Sequence, residues 1–183
     1  MNITHFDFER WQKNFDDNTI RLNRLLERNA SARPEQEGWS AAQCIEHLRV
    51  TGLAYLPAWN RIQAERGDRP GGRYAIWWRW FLGAMRNPKK IRVRTPAPFN
   101  PNSNPNLAGV VAEYCIQRGQ ILQLAGAMWQ TQKGGYSVTS PFAAWMKYPN
   151  DFAFDLWLAH EDRHLTQAES TQSIVSPWVS PRT

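Results

Sequence analysis

The stretch NDFAFDLWLAHEDRHLTQAESTQS, residues 150–173, decides the fold prediction. Its apolar residues recur at spacings of three and four, which is typical of an amphipathic helix. At 100° per residue, the side chains that fall within about 80° of one another are Ala153, Trp157, His160, His164 and Ala168. Both histidines therefore lie at the centre of the face that we expect to turn inward.

Working outward from this segment, the same periodicity predicts three more helices, at about 6–28, 40–62 and 107–132. Asn18 falls on the apolar stripe of the first helix, so we expect its side chain to point inward. Ser40 is placed to cap the second helix, with Gln43 completing a capping box. Pro57 lies inside that helix and is expected to bend or shorten it. No strand pattern competes with the four helices.

The connections between these helices predict the topology. About ten residues join helices one and two, and about fifteen join helices three and four. About forty residues, 66–106, lie between helices two and three, and the piece 95–105 is rich in proline and asparagine. The sequence therefore predicts an all-α fold, a four-helix bundle with a long crossover between helices 2 and 3. We expect a single domain over 1–183, with a C-terminal tail at about 174–183.

Composition and charge limit the function classes. The chain has 183 residues, 22 Lys and Arg against 16 Asp and Glu, and a formal net charge of +6. We name as the basic cluster the dense end of its one basic segment, which consists of Arg86, Lys89, Lys90, Arg92 and Arg94. This cluster is either a solvated face or an anion site. No nucleic-acid-binding motif accompanies it, so we expect no nucleic-acid partner.

Cysteine content and the N-terminal sequence indicate the compartment. Two cysteines in 183 residues do not form a disulfide framework. The first ten residues lack the apolar core of a signal peptide. We therefore expect a cytoplasmic, reduced protein.

A tryptophan-rich run occupies the crossover, where Trp77, Trp78 and Trp80 flank Arg79 and precede Phe81. We predict a short extra helix at 76–85 that packs as a hydrophobic flap on the bundle. The alternative is an interfacial helix that contacts a membrane surface. A homodimer through this aromatic surface is a further hypothesis.

The histidines carry the prediction of chemistry. His160 and His164 are four residues apart, so on a helix both imidazoles can reach one ion. Two neutral histidines side by side in a core are costly unless a divalent metal binds one nitrogen of each. His47, early in the second helix, is the natural third ligand, and His5 is the alternative. Three neutral histidines leave an open coordination position, which is typical of catalytic sites.

The string His160-Glu161-x-x-His164 also matches the motif of zinc metalloproteases. The extended form of that motif needs a glycine and a third histidine further along, and Leu165, Thr166 and Gln167 follow instead. No sheet edge is predicted that could hold a peptide. A protease is therefore the weaker interpretation.

The chain resembles the DinB-like (YfiT-like) superfamily. The resemblance is carried by Gly38-Trp39-Ser40-Ala-Ala-Gln-Cys-Ile-Glu-His47-Leu48 and by His160-Glu-Asp-Arg163-His164-Leu165-Thr-Gln167, and it extends over about 15–173. The Ala-Pro-Phe-Asn-Pro loop is similar to a feature of some members. The resemblance implies a divalent metal, zinc or nickel, held by His47, His160 and His164. It also implies activities of the thiol-dependent transferase or metal-dependent hydrolase type.

These observations predict a metal-dependent enzyme with a small-molecule substrate, which the resemblance suggests is a low-molecular-weight thiol. Glu161 is expected to accept a proton, since Asp162 faces away from the histidines. Arg163 is expected to orient an anionic substrate, and Gln167 to support His164. The basic cluster could hold the carboxylates of a thiol cofactor. The alternative is a non-catalytic metal or small-molecule binding protein.

Overall fold

A computed structural model describes residues 7–27, 38–65, 76–86 and 95–173, with the side chains of 76–79, 172 and 173 left out. These ranges contain five α-helices and one antiparallel pair of strands. The helices are α1 (Phe8–Glu27), α2 (Ala41–Ala64), α3 (Ile76–Arg86), α4 (Leu107–Gln130) and α5 (Asn150–Ser173). The strands are β1 (Ser137–Thr139) and β2 (Lys147–Pro149).

Local sequence accounts for the start of α2 and of α4. The Ser40 side chain accepts a hydrogen bond from the Gln43 backbone, and the Gln43 side chain accepts one from the Ser40 backbone. The predicted capping box is thus confirmed. Asn106 caps α4 by accepting from the backbone of Gly109. Pro57 does not end α2, which continues to Ala64.

The four long helices pack on one another through apolar faces. α2 contacts α4 and α5, and α1 contacts the same two helices. The α2–α4 approach is close at Gly52, where an added Cβ would lie 2.6 Å from Oε1 of Gln117. Asn18 is buried, as predicted from its place on the α1 stripe. The all-α class therefore describes most of the chain.

A short β-hairpin between α4 and α5 corrects the expectation that no strands form. Val138 pairs with Tyr148, and both are buried while their neighbours Ser137, Thr139 and Lys147 are exposed. Three residues per strand are too few for an alternating pattern to be read from sequence. The hairpin places the segment 140–146 close to α2 and α5.

The crossover is described in part. The predicted short helix is confirmed as α3, which packs against α5. Trp80 is 75% exposed, whereas the side chains of Trp77, Trp78 and Arg79 are not described. The membrane, homodimer and single-domain hypotheses stay predictions, and the tail 174–183 is not described. Among the described helices, none is long and apolar enough to cross a bilayer.

Candidate metal centre

Three histidines from two helices meet in the interior. His47 lies on the second turn of α2, and His160 and His164 lie one turn apart on α5. One ring nitrogen from each can be chosen so that all three atoms lie within 4.8 Å of one another. The ring centroids are 4.6–5.0 Å apart. The structure thus brings together the three ligands predicted from sequence.

The ring nitrogens of the three histidines converge, and a hydrogen bond orients the ring of His47. Nδ1 of His47 donates to the carbonyl oxygen of Phe99 at 2.8 Å, so the lone pair of that ring is on Nε2. This Nε2 lies 3.1 Å from Nε2 of His160. Nδ1 of His164 is buried and has no hydrogen-bond partner. Nitrogen atoms that have no other partner and converge in this way fit a divalent cation, which binds imidazole nitrogen at about 2.0–2.1 Å.

The surroundings keep the three imidazoles neutral, the form that binds metal. Burial lowers the pKa of His160 and of His164 well below the usual value, and the neighbouring ring of His47 and the guanidinium of Arg163 lower both further. Burial also lowers the pKa of His47, although its hydrogen bond to Phe99 opposes this. The donor set contains imidazole nitrogen alone, which suits zinc, nickel and similar ions.

The histidine group opens onto a cavity of about 540 Å³, and all three histidines line it. Trp39 packs against His47 and His164, with ring centroids 4.8 and 5.8 Å away. Phe142, from the segment between β1 and β2, lies 6.1 Å from His160. A ligand in this cavity would therefore contact both the histidine group and aromatic rings.

Glu161 does not face the cavity, which corrects its predicted role as proton acceptor. It is 1% exposed, and its Oε1 accepts hydrogen bonds from Tyr114 at 2.8 Å and from Arg118 at 2.6 Å. Its Oε2 accepts from Asn18 at 2.9 Å. α5 is central and has two buried faces, so the residue next to His160 points toward α1 and α4 instead of toward the metal centre. Both oxygens of Glu161 are used in the core.

The other predicted site residues divide between the cavity and the outside. Arg163 lines the cavity and donates to the backbone oxygen of Met85 at 3.5 Å. Gln167 also lines it, one turn beyond His164 on α5. Of the basic cluster, Arg86 is exposed at the end of α3, and the four other members lie outside the described residues. The anion role of that cluster stays a prediction.

The comparisons with known proteins agree with this geometry. A family model described as the DinB superfamily matches residues 10–168. The chain belongs to the DinB superfamily. No curated protein and no solved structure matches it. Membership of the DinB superfamily and the buried group of three histidines are together compatible with metal binding.

Several residues of this DinB superfamily protein escaped the sequence interpretation. Trp39 lies in the motif that carries the family resemblance, but nothing in the sequence indicates its contact with the histidines. Phe99 belongs to the Ala-Pro-Phe-Asn-Pro loop, and only the fold shows that its carbonyl oxygen accepts a hydrogen bond from His47. Tyr114 and Arg118 are one turn apart on α4, and no local signal distinguishes a buried arginine from a solvated one. No sequence signal places Phe142 beside the histidines either, because it lies on a different segment of the chain.

Proposed function

We propose that this protein is a divalent-metal-dependent enzyme that acts on a small molecule in the cavity beside His47, His160 and His164. One observation carries the proposal: one ring nitrogen from each of the three histidines lies within 4.8 Å of the others, and all three side chains line the cavity. We further infer that the four long helices form a four-helix bundle, which is a common scaffold for metal ligands on facing helices.

The reaction class follows from the donor set. When bound, a zinc or nickel ion held by three neutral histidines acts as a Lewis acid that lowers the pKa of a water or a thiol. The chain's own residues bind and orient the substrate. Trp39 and Phe142 exclude water beside the histidines, and Gln167 borders the cavity one turn beyond His164. Hydrolysis and thiol transfer are the two reaction types that this arrangement supports.

A non-catalytic metal or small-molecule binding protein is the second candidate. It is favoured by the absence of aspartate and glutamate from the described residues that line the cavity. Without a carboxylate there, no acidic side chain on the described wall can accept a proton from a water or a thiol. The two candidates share the metal centre and differ in turnover.

Metal analysis of protein purified without a histidine tag tests the shared part. We expect about one zinc or nickel ion per chain, and loss of most of it in each of the variants His47→Ala, His160→Ala and His164→Ala. His5→Ala is the matched control, because His5 is the alternative third ligand in the sequence, and it should keep the ion. Full metal content in His47→Ala would overturn the proposed centre.

Activity screening of the fully loaded protein separates the candidates. The screen combines low-molecular-weight thiols with electrophiles, and separately offers ester and amide substrates. Turnover that His160→Ala abolishes supports the enzyme. No turnover by protein with one ion per chain favours the binding protein.

A further inference from the structure

The wall of the cavity is aromatic and apolar well beyond what a bound water or a small thiol needs. Tyr55, Phe81, Phe142 and Trp157 line it together with Trp39. Two of these rings are fixed by neighbours: Phe142 lies 4.7 Å from Phe99 between ring centroids, and Phe81 lies 6.4 Å from Phe152. Met85, Met146 and Leu156 complete the apolar surface. Such a wall gains free energy by removing the apolar body of a ligand from water.

The charge on the wall has one sign. Arg163 is the single formally charged side chain among the described residues that line the cavity. Three neutral histidines would add no negative charge to offset a bound cation. The charge of the described lining therefore favours an anionic group in the cavity.

Arg163 borders the histidine group at the edge of the same helix face. It lies one residue before His164 and three after His160 on α5, and all three side chains line the cavity. A planar guanidinium presents paired donors that match a carboxylate. A ligand held there by its carboxylate would place its remaining atoms between the histidines and the aromatic wall.

We propose that the cavity takes a bulky aromatic or similarly apolar molecule that carries one carboxylate, with the carboxylate on Arg163 and the body against the wall formed by Phe81, Phe142 and Met146. The identity of this molecule as a substrate rests on the proposed function. Its binding does not, since the residues that hold it are distinct from the three histidines. A small hydrophilic molecule would leave the apolar wall without a partner.

Three probes of matched shape test this selectivity: 4-phenylbutyrate, 4-phenylbutan-1-ol and butyrate. Their affinities are measured by isothermal titration calorimetry on metal-free and on zinc-loaded protein. In metal-free protein we expect 4-phenylbutyrate to bind about tenfold more tightly than the alcohol, because a charged hydrogen-bonded pair is added. Butyrate should bind at least about a hundredfold more weakly than 4-phenylbutyrate, because it lacks the aromatic body.

Variants locate the carboxylate. In Arg163→Met the acid and the alcohol should bind with similar affinity, while Arg163→Lys should keep part of the preference for the acid. Arg61→Met removes an exposed arginine that does not line the cavity, and it should keep the full preference. Circular dichroism checks that each variant is folded, and the comparison of probes on the unaltered protein needs no variant.

The outcomes separate this inference from the proposed function. Equal affinity of acid and alcohol in the metal-free protein would overturn the carboxylate assignment, even with normal metal content. Equal affinity of butyrate and 4-phenylbutyrate would overturn the aromatic assignment. Selective binding of 4-phenylbutyrate, together with failure of the protein to bind zinc or nickel at all, would support the inference and contradict the proposed function.

Discussion

Adjacent residues on α5 serve different purposes. His160 faces α2 and the cavity, whereas Glu161 faces α1 and α4 and joins them through Asn18, Tyr114 and Arg118. The guanidinium of Arg118 also donates to the backbone of Phe15 at 2.8 Å. Burying this ion pair costs solvation free energy, which the surrounding hydrogen bonds offset. The pair fixes the rotation of α5 and thereby the direction of the histidines.

Replacing Glu161 should therefore lower the stability of the folded protein and should not act on the chemical step itself. In Glu161→Gln the Arg118 charge stays buried without its counter-ion, so we expect the free energy of unfolding of metal-free protein to fall by about 3 kcal/mol or more. Urea unfolding followed by circular dichroism measures this change. The matched control is Asp162→Asn, which breaks a more exposed pair with Arg21 and should cost about 1 kcal/mol or less.

The opposite result would support the role of proton acceptor that the sequence predicts for Glu161. If Glu161→Gln unfolded at the same urea concentration as the unaltered protein but lost turnover with full metal content, Glu161 would be the proton acceptor and not a core residue.

At the scale of the elements, a lysine from another part of the chain completes the end of α2. Nζ of Lys133 donates to the backbone oxygens of Ile62 at 3.1 Å, Gln63 at 2.7 Å and Glu65 at 2.7 Å. The last carbonyls of a helix have no partner within the helix and carry partial negative charge. A cation at this point both satisfies them and joins α2 to the segment after α4.

Removal of that cation should destabilise the fold without altering the metal centre. We expect Lys133→Met to lower the free energy of unfolding by about 1–2 kcal/mol, through lost charged hydrogen bonds and the lost interaction with the helix dipole. Thermal unfolding and metal content are the two measurements. Lys147→Met, at an exposed lysine of β2, is the control and should change neither. Equal stability of the two variants would show that the contacts of Lys133 contribute nothing.

At the scale of the whole molecule, the proposed metal centre joins α2 to α5. His47 and His160 are more than a hundred positions apart in the chain, and the two helices also pack directly on each other. An ion that binds only the folded arrangement stabilises it by mass action. Folding and metal binding are therefore expected to be coupled.

Chelation provides the measurement. At a free zinc concentration a hundred times the dissociation constant, the folded protein should gain about 2.7 kcal/mol, which for a domain of this size raises the Tm by roughly 5–10 °C over the chelated protein. Nickel should act in the same direction. His160→Ala should show no such shift. A Tm that zinc leaves unchanged in the unaltered protein would contradict the coupling.

The sequence by itself predicts the long helices and the three histidines that we propose as metal ligands. Periodicity, caps and the i, i+4 spacing are local properties, so they predicted α5 to its ends and placed both histidines on one inward face. His47 is predicted as the third ligand because the chain has only four histidines. The sequence also contains the residue types and charges that line the cavity. It does not show which of these residues become neighbours in the fold.

Only the tertiary structure decided which way the remaining polar side chains point. The sequence predicts Glu161 as the proton acceptor because Asp162 faces away from the histidines. In the structure, α5 is packed on two sides, and the Glu161 carboxylate lies toward α1 and α4. The Arg118 ion pair, the Phe99 carbonyl that orients His47, the three-residue strands and the placement of Phe142 all depend on contacts between segments far apart in sequence. Such contacts are set by packing and by the need to satisfy buried polar groups, and no local pattern encodes them.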